Sequence, residues 1–212
     1  MARPAALVRL QLRRLSERPG MRAARLYSYG ILASFGLLAL LSRSGPPGLT
    51  KLASSALESA SLVVAGLSAW ACAADLSRED RRDGVAALAG VHGVSARTLE
   101  RWRTLSAVVR TGVAIAAPAL GVVALGVLRN GALLWALALS FGIVAYGLVL
   151  ATSLVPLARL AALVGKGQGK LLLLACVATP ELLRLAGAPV PSWSSVFGGL
   201  LHELEWLGRA LA

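Results

Sequence analysis

Apolar residues along this chain come in long blocks separated by short polar stretches, not in the alternation expected of exposed strands. A helix crosses a bilayer with about 20 largely apolar residues, and the blocks at 26–42, 52–74, 105–128, 132–158 and 171–187 approach or exceed that length. Glu58 interrupts the second near its start, Arg110 the third, and Glu181 and Arg184 the later half of the fifth. Residues 192–212 differ: His202, Glu203, Glu205 and Arg209 alternate with a helical stripe of Phe197, Leu200, Leu201, Leu204, Leu207 and Leu211. That pattern predicts a re-entrant amphipathic helix or a weak sixth span, with Trp193 and Trp206 as interfacial anchors. At the other end, 3–18 carries Ala5, Val8, Leu12 and Leu15 on one helical face and arginines on the rest, until Pro19-Gly20 stops it. It reads as an interfacial helix whose arginines snorkel toward anionic lipid headgroups of the inner leaflet, or as a basic flank that only fixes orientation.

The long polar connection is 75–102. Ser77-Arg78-Glu79-Asp80 has capping-box spacing, so a short helix is expected to start there and run through Leu88. Gly90 and Gly93 break it, and Ser95 caps a second helix that leads through Arg97, Glu100 and Arg101 into the third span. Val85, Leu88 and Ala89 give the first helix a small apolar ridge suited to docking on a soluble partner.

Composition agrees with the blocks: 57% of the 212 residues are hydrophobic and 15% charged. Lys and Arg outnumber Asp and Glu by 22 to 10, a net charge of +12. A disordered basic tail would be far less apolar, and a soluble nucleic-acid binder would carry many more charges of both signs. The basic residues instead follow the spans, with 16 ahead of the first, between the second and third, or between the fourth and fifth, against 3 in the other loops. Basic loops stay in the cytoplasm, which places the N-terminus inside. The surplus of Arg over Lys and the abundance of Ala suggest a GC-rich bacterial genome. Cys72 and Cys176 each sit in an apolar block, a pattern that indicates neither a disulfide framework nor a zinc site.

The loop residues carry a resemblance. Glu79-Asp80-Arg81-Arg82-Asp83-Gly84-Val85-Ala86-Ala87-Leu88, a break, then Ser95-Ala96-Arg97-Thr98-Leu99-Glu100-Arg101 entering a span with a mid-helix proline at Pro118 resembles the loop after the second span of ABC-2 type transporter permeases. The basic N-terminal helix and the Gly-Lys-Gly-Gln-Gly-Lys loop at 165–170 are also similar, as is the size to the small haem-exporter type of permease. The likeness extends to about Pro191. It departs where Val91-His92-Gly93 replaces the usual proline and where the final apolar span is weak. The resemblance implies an all-α integral membrane protein of five to six spans in the bacterial inner membrane, with an N-terminal interfacial helix and a cytoplasmic coupling helix. It implies an exporter subunit that works as a homodimer or with a related permease, without catalysis or a cofactor of its own. ATP would be bound by a cognate ABC ATPase, contacted by Glu79, Asp83, Gly84 and Leu88. The alternative is a non-transporting scaffold that recruits a cytoplasmic partner through 77–101.

Other chemistry is weakly represented. Val164 and Leu171 stand where a GxxxxGK[ST] phosphate loop needs Gly and Ser or Thr. His92 and His202 lie far apart with no nucleophile beside either. Charges within spans are costly and therefore candidates for function. Arg110 either snorkels to the inner interface, lines a substrate path or pairs with an acid. Glu58 is hydrated at the outer end of its span or functional there, and Glu181 pairs with Arg184 on a helix kinked at Pro180. An ion-coupled carrier would need more mid-membrane acids than Glu58 and Glu181. Small residues at Gly66, Ala69, Gly142 and Ala145 permit close helix packing.

Overall fold

The computed structural model describes residues 4–41, 45–73, 84–91, 93–189 and 193–210. All regular elements among them are helices: α1 (Pro4–Glu17), α2 (Pro19–Leu41), α3 (Pro46–Ala73), α4 (Val85–Val91), α5 (Ala96–Asn130), α6 (Leu133–Val164), α7 (Lys166–Leu185) and α8 (Trp193–Ala210). Four of these, α2, α3, α5 and α6, are long and apolar enough to cross a membrane. The expected fifth span, α7, is a helix but not one of the four. Lys166 and Lys170 at its start and Glu181 and Arg184 near its end leave 10 residues free of charge. That stretch is about 15 Å of helix, half the thickness of a hydrocarbon core.

The termini of the helices follow local chemistry. Pro19 ends α1, as expected, and also opens α2, because proline is tolerated where a helix has no N–H to satisfy. Pro46 and Pro47 likewise sit in the first turn of α3, so this helix begins well before the apolar block at 52. Gly93 at φ 72° closes α4: its N–H reaches Gly90 O at 3.0 Å and the Val94 N–H reaches Ala89 O at 2.8 Å. This is a Schellman turn. Ser95 then caps α5, its Oγ accepting from Thr98 N at 3.2 Å, as the sequence predicts. Gly131 at φ 68° ends α5 and Gly187 at φ 87° ends α7, the latter with Ala188 N–H on Leu183 O.

Packing centres on α3 and α5, with α2 and α6 flanking them. Gly112 and Gly147 let α5 and α6 touch through backbone: a Cβ on Gly147 would lie 2.7 Å from Gly112 O. Gly169 plays the same part where α7 folds back on the end of α6 near Ala161. Two tryptophans and an arginine fasten the ends. Trp135 is buried and donates to Thr50 Oγ1 at 2.9 Å, while Trp70 packs beside Gly169. Arg129 donates to the final carbonyls of α2. The bundle thus has one end formed by α1, α4 and the start of α5, rich in arginine, and an opposite end at the α2–α3 and α5–α6 connections.

Both outer helices are seated on this bundle. α1 packs on α5, burying Leu15 and Gln11 while Arg13 and Glu17 stay in solvent as an exposed pair at 3.5 Å. α8 packs on α3 and α6 toward the opposite end. Leu204 is buried in the notch at Gly142, where a Cβ would collide with its Cδ1, and Ser54 of α3 donates to the Glu205 carboxylate.

Candidate functional site

Two groups of polar residues stand out against the apolar bundle. The first is a strip along α3. Lys51, Ser55, Glu58, Ser59 and Leu62 recur at helical spacing on one face, with Lys51, Glu58 and Leu62 exposed and the serines half-buried. Because α3 starts at Pro46, Glu58 is twelve residues inside the helix, roughly 18 Å from its start. It is therefore near the middle of the helix, whereas the apolar block at 52–74 puts it near the start. Among the described residues it makes no hydrogen bond or ion pair. Its neighbourhood is nonetheless polar. Ser61 is 3.1 Å from the Tyr146 hydroxyl on α6, and Glu58 lies within electrostatic range of that hydroxyl. On one flank Ser59 lines a lateral groove with Tyr27, Gly30 and Ser34 of α2, and on the other the Ser54–Glu205 contact brings in α8. Farther along the helix the same face is covered, with Ala65, Ala69 and Cys72 fully buried. The strip is therefore open in the half nearer the α2–α3 connection and covered toward the end of α3.

The second group lies at the arginine-rich end. Glu100, on the first turns of α5, holds Arg103 at 3.0 Å and Arg159 of α6 at 2.8 Å, and Arg159 also donates to Thr104 Oγ1 at 2.6 Å. One carboxylate thus ties α5 to the end of α6. Arg18 donates to Ala71 O at 2.6 Å, fastening the start of α2 to the end of α3, and Arg25 donates to Ser16 O of α1. Two turns beyond Arg103, Arg110 is half-buried, and its Nε is buried without a hydrogen-bond partner. Among the described residues it has no acidic partner, so the expected acid pair is not formed there. Arg110 and Arg18 both lie near the buried Cys72 thiol, which is 3.6 Å from Met21 Sδ.

The remaining predicted residues separate. Glu79 and Asp83 lie outside the described residues, as does His92. Gly84 is exposed, with φ 69°, directly before α4, and Leu88 lies within that helix. Of the expected docking ridge Val85, Leu88 and Ala89, Val85 is half-buried and Ala89 buried, while Val91, beyond the ridge, is exposed. Glu181 and Arg184 both fall in α7. Cys72 and Cys176 are free thiols, and no group of residues suited to a metal ion occurs among the described residues. Sequence reasoning missed Glu100, Arg159 and Tyr146; an acid amid arginines was a visible signal for the first, but the others depend on how α6 is turned. No family model, curated protein or solved structure matches the chain.

Proposed function

We propose that the chain is the membrane-spanning subunit of an ATP-driven transporter of the ABC-2 type, an exporter powered in trans by a separate ATPase. The observation that supports this is Glu58. A carboxylate on the outer surface of a membrane span costs several kcal/mol if it faces lipid, about 2.5–3.5 kcal/mol on insertion scales. Polar side chains in spans therefore face water or protein. In this reading the α3 strip faces a wetted path completed by a second copy or a related permease. The arginine-rich end lies in the cytoplasm of a bacterial inner membrane, with α1 in the inner leaflet, and α7 and α8 form a fifth crossing and a re-entrant return.

In this reading, coupling to the ATPase runs through the turn at Gly93 to Ser95. The Schellman closure and the serine cap join α4 to α5 without a slack linker, and α5 is a continuous helix of 35 residues, about 52 Å long. A load applied at Glu79, Asp83, Gly84 and Leu88 would be carried down α5 to its crossing with α6. Co-expression with an ATPase encoded beside it tests the reading. The expected result is co-purification and ATP-dependent export, both lost when Glu79 and Asp83 are replaced by Lys. Partner binding with no nucleotide-dependent transport would instead establish a scaffold.

A further inference from the structure

The basic ends of α5 and α6 are joined by one carboxylate. Glu100 accepts from Arg159 across the two helices at 2.8 Å and from Arg103 at 3.0 Å, and Arg159 also donates to Thr104 Oγ1 at 2.6 Å. Toward the middle of the bundle the same helices meet backbone to backbone at Gly112 and Gly147. Glu100 and Arg159 each stand twelve residues from that crossing, roughly 18 Å along their helices. On its far side the pair is closed by the short connection at Gly131-Ala132 and by Trp135, which lies against Gly126 and donates to Thr50. This leaves the basic end as the one at which α5 and α6 are free to separate, with the Glu100–Arg159 pair across the gap.

The α6 arm also contains a weak point. Pro156 lies inside the helix three residues before Arg159, and its ring nitrogen has no N–H to donate to Thr152 O. In the turn before it Thr152 Oγ1 and Ser153 Oγ both donate to Val149 O, at 2.7 and 3.3 Å, and back-bonding of this kind loosens and bends helices. Past the proline the fully buried side chains of α6 are Ala158 and Ala161, with Leu157 half-buried, so movement of this arm uncovers little apolar surface. The arm carries the start of α7, seated through Gly169 on Ala161 and on Trp70 of α3. Glu100 is half-exposed and lines an open groove with Arg97 and Arg101, so water and ions reach its carboxylate. We propose that Glu100 is a latch and Pro156 its hinge. With Arg159 held, the end of α6 is closed on α5; with the pair released, residues 157–164 swing away from it. This inference does not depend on the transport reading.

The test is a distance in the purified full chain with Cys72 and Cys176 replaced, read by pulsed electron paramagnetic resonance between spin labels at Arg97→Cys and Leu163→Cys, both exposed positions. Val113→Cys with Val144→Cys, exposed positions beside the glycine crossing, gives the reference pair. Glu100→Gln is expected to add a population at 97–163 that is longer by several ångströms, while the reference distance stays fixed. Arg159→Gln should do the same. Raising the salt from about 0.15 M to about 1 M should also lengthen the 97–163 distance in the latched chain, because the screening length falls from about 8 Å to about 3 Å. Pro156→Ala, which restores the missing N–H, should remove the longer population from Glu100→Gln. An unchanged 97–163 distance in Glu100→Gln, or in the salt series where the variants fail to fold, would overturn the proposal. So would equal lengthening of both pairs, which would mean general loosening, or a longer population that persists with Pro156→Ala.

Discussion

Gly112 and Gly147 set how closely α5 and α6 approach, and the space they leave is smaller than a methyl group. A Cβ on Gly147 would stand 2.7 Å from a backbone oxygen, which cannot rotate away as a side chain can. Gly147→Ala should therefore force the two helices apart at a cost of about 1–3 kcal/mol, read as a lower melting temperature in detergent. Gly66 is the matched control, since nothing lies within 4 Å of its missing Cβ and Gly66→Ala should leave the melting temperature unchanged or slightly raised. Equal effects at the two glycines would contradict the packing described. The sequence marks Gly66 as a small residue suited to helix contact and does not single out Gly147. Which one makes the contact depends on the rotation of α3, α5 and α6 about their axes, and no local pattern encodes that.

Among the elements, α8 is held in a way that lipid rather than water makes informative. Leu204 gains little by leaving the lipid tails, so its seat at Gly142 rests on dispersion contact, and the Ser54–Glu205 bond supplies about 0.6 kcal/mol in such surroundings. Leu204→Ala should loosen α8 at a cost near 2 kcal/mol, the low end for leucine truncation, and make the 193–210 segment more susceptible to protease in detergent. Unchanged cleavage would mean that α8 is held elsewhere. The helical period of this segment was readable in the sequence, but of its stripe Leu204 is buried while Leu200 and Leu207 are exposed. The turn between α4 and α5 was also readable, because a left-handed glycine and a capping serine act within a few residues. Element starts were less so. The apolar block in 52–74 hides the first turn of α3, since two prolines and a glycine do not look helical until their lack of an obligatory N–H partner is considered. That shift of six residues moved Glu58 from a helix end to its middle.

For the whole molecule, four helices form a bundle whose basic end is tied by Glu100, Arg159, Arg18 and Arg25, while the opposite half opens along α3. The apolar blocks and the asymmetry of charge foresaw the membrane character and the arginine-rich end. They did not foresee the open strip of α3, flanked by the α2 groove at Ser59 and by α8 at Ser54. Under the proposed function, this face is wetted in the assembled complex. The direct measurement is Glu58→Cys in a chain with Cys72 and Cys176 replaced, labelled in membranes with a charged, membrane-impermeant thiol reagent. The account predicts rapid labelling at position 58 that changes when ATP is supplied with the ATPase, and slow labelling of Val113→Cys on the exposed apolar stripe of α5. Equally slow labelling at both positions would place Glu58 in lipid or in a dry contact and contradict the account.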